Sequence, residues 1–428
     1  MVGAALTRVR RHIPLLLLSS CASRVTPLDA GAGEDRSPSY DIGVADVASD
    51  RGAARPDSGV SPTDCRRDGT CAEVVVAGDP LRTDDAGAPL PARGYADPSL
   101  RQDPATGRLW LAYSHVHWGD AVVHVDSHLA HSDDEGQRWT FDGPLWTHAP
   151  ARNPRTGVMG FTNHETVSLA PRVTPSGTRW VSARMWHIIT PGPGGLDART
   201  FAIRVAEAET PVALARAEEA VLTGTYFDRR LGSAVDLTRD VATANGRSLD
   251  EVQGCTFFDA GIIVEGARVF MVVQCARFTA TGEDTAREFL AVFATTPEGP
   301  VTGWRWTYLG PLTTHADALA LGGENLLQSD LSRTRDGSLM ILLTPSRPAR
   351  PLALHDGCRG LAVASLDPPR LARDERGAPR VIADVRATDT GTGSCGHDPA
   401  SRTGILVARR QDGPGMLVTD IAASGVRP

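Results

Sequence analysis

The feature that most constrains the fold of this 428-residue chain is a repeating unit of about 70 residues. Each copy begins with an acidic residue, enters an apolar strand, turns at glycine and returns through a second apolar strand. The acidic starts of the five copies are Asp97, Glu165, Asp259, Asp330 and Asp398. Turns such as Glu265-Gly266 and Asp336-Gly337 between two apolar runs are typical of β-hairpins. The repeat therefore predicts an all-β fold built from similar antiparallel units.

A third strand follows in most copies, at residues 127–131, 200–206, 288–294, 360–365 and 416–421. Repeats of this size with short antiparallel strands predict the blades of a β-propeller. Five copies predict five blades, and a six-bladed propeller or a β-sandwich are the alternatives. The last copy has room for only three strands. We therefore expect residues 73–77 to supply the fourth strand and to close the ring, which removes exposed sheet edges.

The first 21 residues have the organisation of an export signal. Arg8, Arg10 and Arg11 precede the apolar run 13–18, which is too short to span a bilayer. The sequence Leu-Ser-Ser-Cys at 18–21 resembles the bacterial lipobox, and this resemblance implies a lipid anchor at Cys21. A plain signal peptide with a chance cysteine is the alternative. We expect an extracytoplasmic protein of a bacterial cell envelope, held to the membrane by lipid alone, or a secreted one.

Residues 22–71 are rich in Ala, Asp, Gly, Pro, Arg and Ser and have no sustained apolar period. This composition cannot bury enough apolar surface to offset chain entropy, so it predicts a flexible linker. The propeller domain is expected at 72–428. The formal net charge of −7 and the lack of basic runs after the signal argue against a nucleic-acid partner.

The cysteines favour disulfide bonds. Of the seven in the chain, six remain once Cys21 is set aside, and disulfides require an even number. Proximity in sequence favours the pairs Cys65–Cys71, Cys255–Cys275 and Cys358–Cys395. The second pair flanks two apolar runs, 261–264 and 269–273, that have the pattern of a hairpin. No C-x-x-C spacing occurs, which argues against a zinc ribbon or a thioredoxin-like site.

One turn has the sequence Ser132-Asp133-Asp134-Glu135-Gly136-Gln137-Arg138-Trp139. This octet resembles the Asp-box of sialidase-like β-propellers, which folds the hairpin between the last two strands of a blade. Asp134 can accept hydrogen bonds from its own turn, Gly136 supplies a positive φ, and Trp139 can pack between blades. The resemblance implies a surface turn away from the propeller axis and concerns architecture alone.

The five acidic starts are the main candidates for chemistry. The first strand of each propeller blade lines the central channel, so these side chains are expected to meet in one pocket. Clustered carboxylates repel one another, which raises the pKa of one and supplies a protonated acid beside an ionised partner. Glycoside hydrolysis needs that combination. Capping of a turn is the alternative role for any single acid.

The motif Tyr95-Ala96-Asp97-Pro98-Ser99 resembles the blade-one motif of five-bladed glycosidases of the arabinanase and β-xylosidase type. Those enzymes carry an Asp base in blade one, an Asp that tunes pKa values in blade two and a Glu acid in blade three. In this chain the order is the opposite, with Glu165 in blade two and Asp259 in blade three. The resemblance implies a glycoside hydrolase with Asp97 as base or nucleophile, Glu165 as acid and Asp259 as tuner. A non-catalytic surface propeller that binds glycan or protein is the rival.

Further residues are expected around the pocket mouth, where the partner is a carbohydrate or glycoconjugate. They are Asp330, Asp398, His164, His397, Arg172, Arg333, Trp118 and Trp186. The two arginines are also expected to pair with the acids. Calcium at the axis is an alternative, and so is a metal held by His164 and His397 together with the acids; no other cofactor is predicted. The alternating histidines are expected on the rim rather than in a metal patch; they are His115, His117, His124, His128 and His131.

Overall fold

A computed structural model describes residues 60–65, 71–79, 90–119, 122–154, 157–192, 195–228, 232–237, 241–279, 282–347, 354–355, 357–386, 392–413 and 416–428. Cys21 and residues 22–59 lie outside the described residues, so the predictions made for them stay predictions. The described part contains one α-helix, α1 (His315–Ala320), and 3-10 helices at Val212–Arg216, Leu249–Val252, Thr285–Arg287 and Val301–Gly303. None of these helices has the length and apolarity needed to cross a membrane.

Almost all other regular structure is β, beginning with three strands of two residues each: β1 (Thr63–Asp64), β2 (Ala72–Glu73) and β3 (Val76–Ala77). A first antiparallel meander then contains β4 (Ala92–Gln102), β5 (Leu109–Gly119), β6 (Val122–Ser132) and β7 (Trp139–Trp146). The second meander contains β8 (Pro150–Arg152), β9 (Met159–Thr174), β10 (Gly177–Gly192), β11 (Gly195–Ala208), β12 (Glu219–Asp228) and β13 (Gly232–Leu237).

The remaining strands form three further groups of the same kind. The third meander contains β14 (Ala242–Thr243), β15 (Cys255–Glu265), β16 (Arg268–Thr279), β17 (Gly282–Glu283), β18 (Phe289–Thr295) and β19 (Trp306–Pro311). The fourth contains β20 (Asn325–Arg333), β21 (Leu339–Arg347), β22 (Leu354–His355), β23 (Cys358–Leu366), β24 (Pro369–Leu371) and β25 (Val381–Arg386). The fifth contains β26 (Thr392–Gly396), β27 (Leu406–Gly413) and β28 (Met416–Ala423).

The first long strands of the meanders form a closed ring. Strand β4 contacts β9, β9 contacts β15, β15 contacts β20, β20 contacts β26, and β26 contacts β4. The approach is close, because a Cβ on Gly396 would lie 2.3 Å from the carbonyl oxygen of Pro98. Strands arranged around a common axis in this way make a β-propeller, so the predicted fold class is confirmed. The blade count stays a prediction, and the ring of five meanders supports five.

The N-terminal strands join the two ends of the ring. Strand β2 pairs antiparallel with β28, with Ala72 opposite Ala423, and β3 pairs parallel with β7. Strand β28 also pairs parallel with β4, so the first and fifth meanders share one hydrogen-bonded sheet. The segment 73–77, expected to close the ring with one strand, therefore contributes to two short strands, of which β2 pairs with the fifth meander and β3 with the first.

Strand β1 shows that the chain enters the structure before residue 72, the boundary predicted from composition. It pairs parallel with β25, Thr63 opposite Val385, and the following Cys65 is buried. A two-residue strand has too few residues to produce an apolar period, so composition could not reveal it.

The three predicted disulfides are present, joining Cys65 to Cys71, Cys255 to Cys275 and Cys358 to Cys395. The second crosses the β15–β16 hairpin, and the third ties the fourth meander to the fifth. Apolar faces of neighbouring meanders pack against each other. One cluster, for example, contains residues of β10, β11, β15 and β16.

The octet at 132–139 forms the turn between β6 and β7. The Asp134 carboxylate accepts a hydrogen bond from the Arg138 backbone N–H at 2.8 Å and from the Ser132 hydroxyl at 2.9 Å. Gly136 has φ of 91°, and Trp139 is buried. The turn thus has the geometry expected of these residues, while its assignment to the Asp-box family stays a prediction.

Candidate active site at the axis

Four of the five axial strands share an irregularity at the same place. A non-glycine residue with positive φ sits in each: Asp97 at 50° in β4, Thr166 at 50° in β9, Asp259 at 49° in β15 and Gln328 at 55° in β20. The pairing register shifts beside each of them, as in a β-bulge, which re-aims side chains. Positive φ is uncommon outside glycine and clusters at functional sites. The repetition marks the axis as the candidate site.

Hydrogen bonds connect these positions around the axis. Asp97 accepts from the Ser394 hydroxyl of β26 at 2.6 Å and from the Ser114 hydroxyl at 2.7 Å. The Thr166 backbone N–H donates to the same Ser114 hydroxyl at 3.2 Å. Asp259 accepts from the Gln328 backbone N–H at 3.1 Å. We call the set Asp97, Thr166, Asp259, Gln328 and Ser394 the axial ring, because each meander contributes one member.

A cavity with an empty volume of about 250 Å³ adjoins the axial ring. Asp97, Thr166, Gln328 and Ser394 line it, together with Asp330. Asp97 is 8% exposed, whereas Asp259 is 1% exposed and contributes its neighbour Ala260 to the lining. The two acids of the ring therefore differ in their access to the cavity.

The two acids also differ in their titration. Burial raises the pKa of Asp97, although the hydroxyls of Ser394 and Ser114 oppose the shift. Burial, followed by the charge of Asp97, raises the pKa of Asp259 to about 7. Near neutral pH the pair can hold one protonated and one ionised carboxyl group, the arrangement that acid–base chemistry requires.

A buried ion pair fills the axis next to the ring. Arg101 lies 2.6 Å from Asp330 between Nη2 and Oδ1, with both side chains less than a tenth exposed. The Arg101 guanidinium also donates to the carbonyl oxygens of Ile262 and His397, each at 3.3 Å. Burial raises the pKa of Asp330, and Arg101 opposes that shift. One arginine thus joins four meanders, because its partners belong to β15, β20 and the residues after β26.

Sequence reasoning missed Arg101, although a signal was present. Asp97, Ser99 and Arg101 alternate along β4, and residues with a period of two share a strand face. The sequence predicted instead that Arg172 and Arg333 would pair with the axial acids. They pair elsewhere, Arg172 with Glu207 in its own meander and Arg333 with Glu265 of the neighbouring one.

Only two of the five predicted acids belong to the axial ring. Thr166 takes the position expected for Glu165, whose carboxylate lies 3.4 Å from His187 Nε2 on β10. Gln328 takes the position expected for Asp330. Asp398 lies beyond β26 and accepts from the backbone N–H of Gln102 at 2.8 Å. The five acids therefore do not occupy equivalent positions. The sequence repeats were aligned on their acidic residues. In the structure, the β-bulges determine which residues of the axial strands occupy equivalent positions.

The predicted histidines are buried near the axial strands and hold no charge at neutral pH. His164 Nδ1 accepts from Arg184 Nε at 3.2 Å, and burial with the charge of Arg184 lowers the pKa of His164 to about 3. Burial, followed by Arg101, lowers the pKa of His397 to about 4. Neutral imidazoles in these places can exchange hydrogen bonds but cannot neutralise the acids.

The predicted tryptophans contact the protein itself. Trp118 is half-buried and packs on a cluster that includes Val116 and Val125. The Arg204 guanidinium lies 4.3 Å from the ring centroid of Trp186, a cation–π contact. Stacking of either ring on a sugar stays a prediction.

A second pair of carboxyl groups, which the sequence repeat did not reveal, contacts Asn325 at the start of β20. The Asn325 amide donates to Glu283 at 2.8 Å and to Glu288 at 3.1 Å. Burial, followed by the charge of Glu288, raises the pKa of Glu283 well above its usual value, and burial raises the pKa of Glu288. Both acids lie on the connection from β16 to β18, away from the repeat starts.

No protein-family profile matches the chain, and no curated protein does. Among solved structures, it is similar to a family 117 glycoside hydrolase of the marine bacterium Zobellia galactanivorans, with 11% identity, a TM-score of 0.43 and coverage of 83% of this chain and 90% of that one. It is similar to the catalytic domain of a GH62 α-L-arabinofuranosidase of Coprinopsis cinerea, with 12% identity, a TM-score of 0.40 and coverage of 82% and 95%.

A third similar structure is the arabinanase Arb43A of Bacillus subtilis, with 10% identity, a TM-score of 0.42 and coverage of 76% of this chain and 92% of that one. Identities this low, with TM-scores below 0.5, say nothing about the substrate or the reaction of this chain. Its chemistry has to be inferred from its own residues.

Proposed function

We propose that this protein is a glycoside hydrolase whose reacting groups are Asp97 and Asp259. The observation that carries the proposal is the pair itself. Two buried carboxyl groups from the first and third meanders belong to one ring, and the charge of Asp97 helps to raise the pKa of Asp259 to about 7. Glycoside hydrolysis uses two carboxyl groups in different protonation states. The substrate class is therefore a carbohydrate or a glycoconjugate.

We assign a role to each carboxyl group from the direction of its pKa shift and from its contacts. Asp259, protonated near neutral pH, is the general acid that gives its proton to the leaving glycosidic oxygen. Asp97 is the ionised partner that activates water or attacks the anomeric carbon. Hydroxyls of Ser114 and Ser394 donate to it and hold its orientation. These roles replace those expected from the sequence, in which Glu165 was the acid and Asp259 the tuner.

The cavity limits what part of a substrate reaches the acids. Its empty volume of about 250 Å³ includes space open to solvent, and the enclosed part has room for only about one water molecule. Arg101 and Asp330 occupy the axis beside it. We therefore expect a carbohydrate to bind across the mouth rather than through the channel, and a sugar to reach the acids only if the lining side chains move.

A non-catalytic propeller that binds glycan or protein is the second candidate. The observation that favours it is the satisfaction of the axial acids within the protein. Asp97 is held by two serine hydroxyls, Asp330 by Arg101, and Asp398 by backbone N–H groups. Carboxylates held in this way can also form a rigid binding surface at the mouth of the cavity.

A panel of aryl glycosides and polysaccharides separates the two candidates. Wild-type protein is compared with Asp97→Asn, Asp259→Asn and the control Asp336→Asn, whose carboxylate lies in the turn between β20 and β21. Hydrolysis is supported if kcat/KM falls about 10²–10⁴-fold for Asp97→Asn on every substrate and for Asp259→Asn on substrates with poor leaving groups, with the control unchanged. Saturable binding without turnover by the wild type supports the binding candidate.

We further propose that the protein is exported and anchored by lipid at Cys21. The three disulfides support an oxidising compartment. Replacing Cys21 by Ala should move the mature protein from the membrane fraction to the soluble fraction. Unchanged membrane association of Cys21→Ala contradicts the anchor.

A further inference from the structure

The first meander carries a row of imidazoles on one face. Strands β5 and β6 pair with Tyr113 opposite His128, His115 opposite Asp126 and His117 opposite His124. Directly opposite residues of an antiparallel pair share a face, and so do alternate residues of one strand. The four histidines are at most 4% exposed. The histidines predicted on the rim are therefore buried, with the exception of half-buried His131, which lies 2.6 Å from Asp142.

Three ligand atoms converge at one end of this row. His117 Nε2 lies 3.1 Å from Asp126 Oδ2, and His148 Nδ1 lies 2.8 Å from Asp126 Oδ1. The ligand atoms of the three residues all lie within 4.8 Å of one another. Ligands bound to one tetrahedral ion at about 2.0–2.2 Å stand roughly 3.3–3.6 Å apart. The two His–Asp distances are slightly shorter than this spacing, so a small movement of Asp126 away from the two imidazoles would admit an ion.

We propose that His117, Asp126 and His148 bind a divalent transition-metal ion, with zinc as the first expectation. Two imidazole nitrogens and one carboxylate oxygen are the borderline donor set that zinc accepts, and three protein ligands leave a fourth position for water. The site is separate from the axial ring, and the proposal does not depend on glycoside hydrolysis. From the sequence, a metal patch of the alternating histidines was the alternative to the rim, and it included His117 but neither Asp126 nor His148.

A neighbouring group, Asp79 with His115 and His128, is less suited to hold the ion. The Asp79 Oδ2 atom already accepts from the Tyr113 hydroxyl at 2.5 Å and is 2.7 Å from His128 Nδ1. The side chains of Asp79 and His128 are also less than a tenth exposed. In the proposed site the His148 side chain is 25% exposed, which gives an ion a path from solvent.

The rival explanation is a purely structural hydrogen-bond network, since Asp126 also accepts from the backbone N–H of His148 at 2.6 Å. His148→Gln separates the two explanations. A glutamine amide can still donate to Asp126, but it is a poor zinc ligand. The matched control is His315→Gln on α1, where Nδ1 lies 2.9 Å from the carbonyl oxygen of Glu324.

The experiment uses untagged protein that has been treated with a chelator and dialysed, then titrated with zinc by calorimetry and with cobalt by visible absorption. We expect about one zinc per chain, the visible bands of four-coordinate cobalt, and at least about tenfold weaker zinc binding by His148→Gln. The control should bind zinc as the wild type does. No zinc binding by the wild type, or unchanged affinity in His148→Gln, overturns the proposal.

A thermal measurement on the wild type keeps the test decisive if His148→Gln fails to fold. An ion that binds the folded state alone raises the melting temperature as its concentration increases. The wild-type midpoint should therefore rise with added zinc and fall again with chelator. A midpoint indifferent to both overturns the site.

Discussion

At the scale of single residues, Asp259 combines positive φ, near-complete burial and a raised pKa. Each of these opposes folding, since strained backbone and a buried carboxylate are both unfavourable. Their coincidence in one residue of the axial ring is the pattern that functional sites show. The same residue therefore links a stability measurement to the proposed chemistry.

The pH dependence of stability tests the raised pKa of Asp259. The unfolded carboxyl titrates near pH 3.9, and the folded one near 7. Between these values the folded state keeps a proton that the unfolded state has lost, so wild-type stability falls as pH rises from about 4 to 7. Asp259→Asn does not titrate and should gain up to about 4 kcal/mol on the wild type by pH 8. Urea unfolding measures the difference, and a constant difference from pH 4 to 8 contradicts the shift.

The enzymatic rate should depend on the same proton. If Asp259 is the general acid, kcat/KM of the wild type falls above about pH 7, where the carboxyl group ionises. A pH–rate profile on any substrate found in the panel measures this. A rate that is level from pH 6 to 9 excludes Asp259 as the acid.

Arg101 gives a prediction about stability alone. Arg101→Met leaves Asp330 buried without its partner and should lower the free energy of unfolding by about 3–5 kcal/mol near neutral pH. The double variant with Asp330→Asn should recover most of that loss. Arg138→Met is the control, because the exposed and solvent-screened Arg138–Asp134 pair should contribute little to the free energy of unfolding. A double variant as unstable as Arg101→Met would show that the charge of Asp330 is not the cause.

The sequence placed Asp97 and Asp259 on the inner strands because the hairpin repeat locates those strands, but the two acids lie within β4 and β15 and not at their starts as predicted. It misplaced Glu165 by one residue and Asp330 by two, since a bulge adds a residue to one strand without changing the apolar pattern. It missed Arg101, although this residue shares a strand face with Asp97, and it missed His148; the partners of both residues are distant in the chain. Long-range pairing of this kind leaves no local signal in a single sequence.

At the scale of elements, the sequence predicted the hairpins and the disulfides, but it predicted the N-terminal strands only in part. Glycine turns between apolar runs fix hairpins locally. The two-residue strands β1 and β2 form because the sheets offer them partners in β25 and β28. Tertiary context alone therefore determines those strands.

Removal of these strands tests their contribution to ring closure. A chain starting at residue 79 lacks β1, β2 and β3, so β25, β7 and residues 422–423 of β28 lose their partners. We expect a lower melting temperature and self-association, because an unpaired edge strand is a template for another chain. A chain starting at residue 60 is the reference. Equal melting temperatures and equal monodispersity of the two chains would show that closure does not need them.

At the scale of the whole molecule, the closed ring brings one residue from each meander to the axis. The two acids of the axial ring, Asp97 and Asp259, are far apart in sequence, so they form a pair only in the folded propeller. The Arg101–Asp330 pair lies beside the cavity, which Asp97 lines directly and Asp259 adjoins through its neighbour Ala260. Fold class alone does not establish an activity, and the pair of acids has to be tested directly.

The most direct test measures kcat/KM of the wild type and of Asp259→Asn on aryl glycosides whose leaving phenols span a range of pKa values. A general acid matters most when the leaving group is poor. Asp259→Asn should therefore lose orders of magnitude on poor leaving groups and little on good ones, whereas Asp97→Asn should lose activity on all of them. No turnover by the wild type, or an equal loss in Asp259→Asn across the whole series, would contradict the proposed catalytic pair.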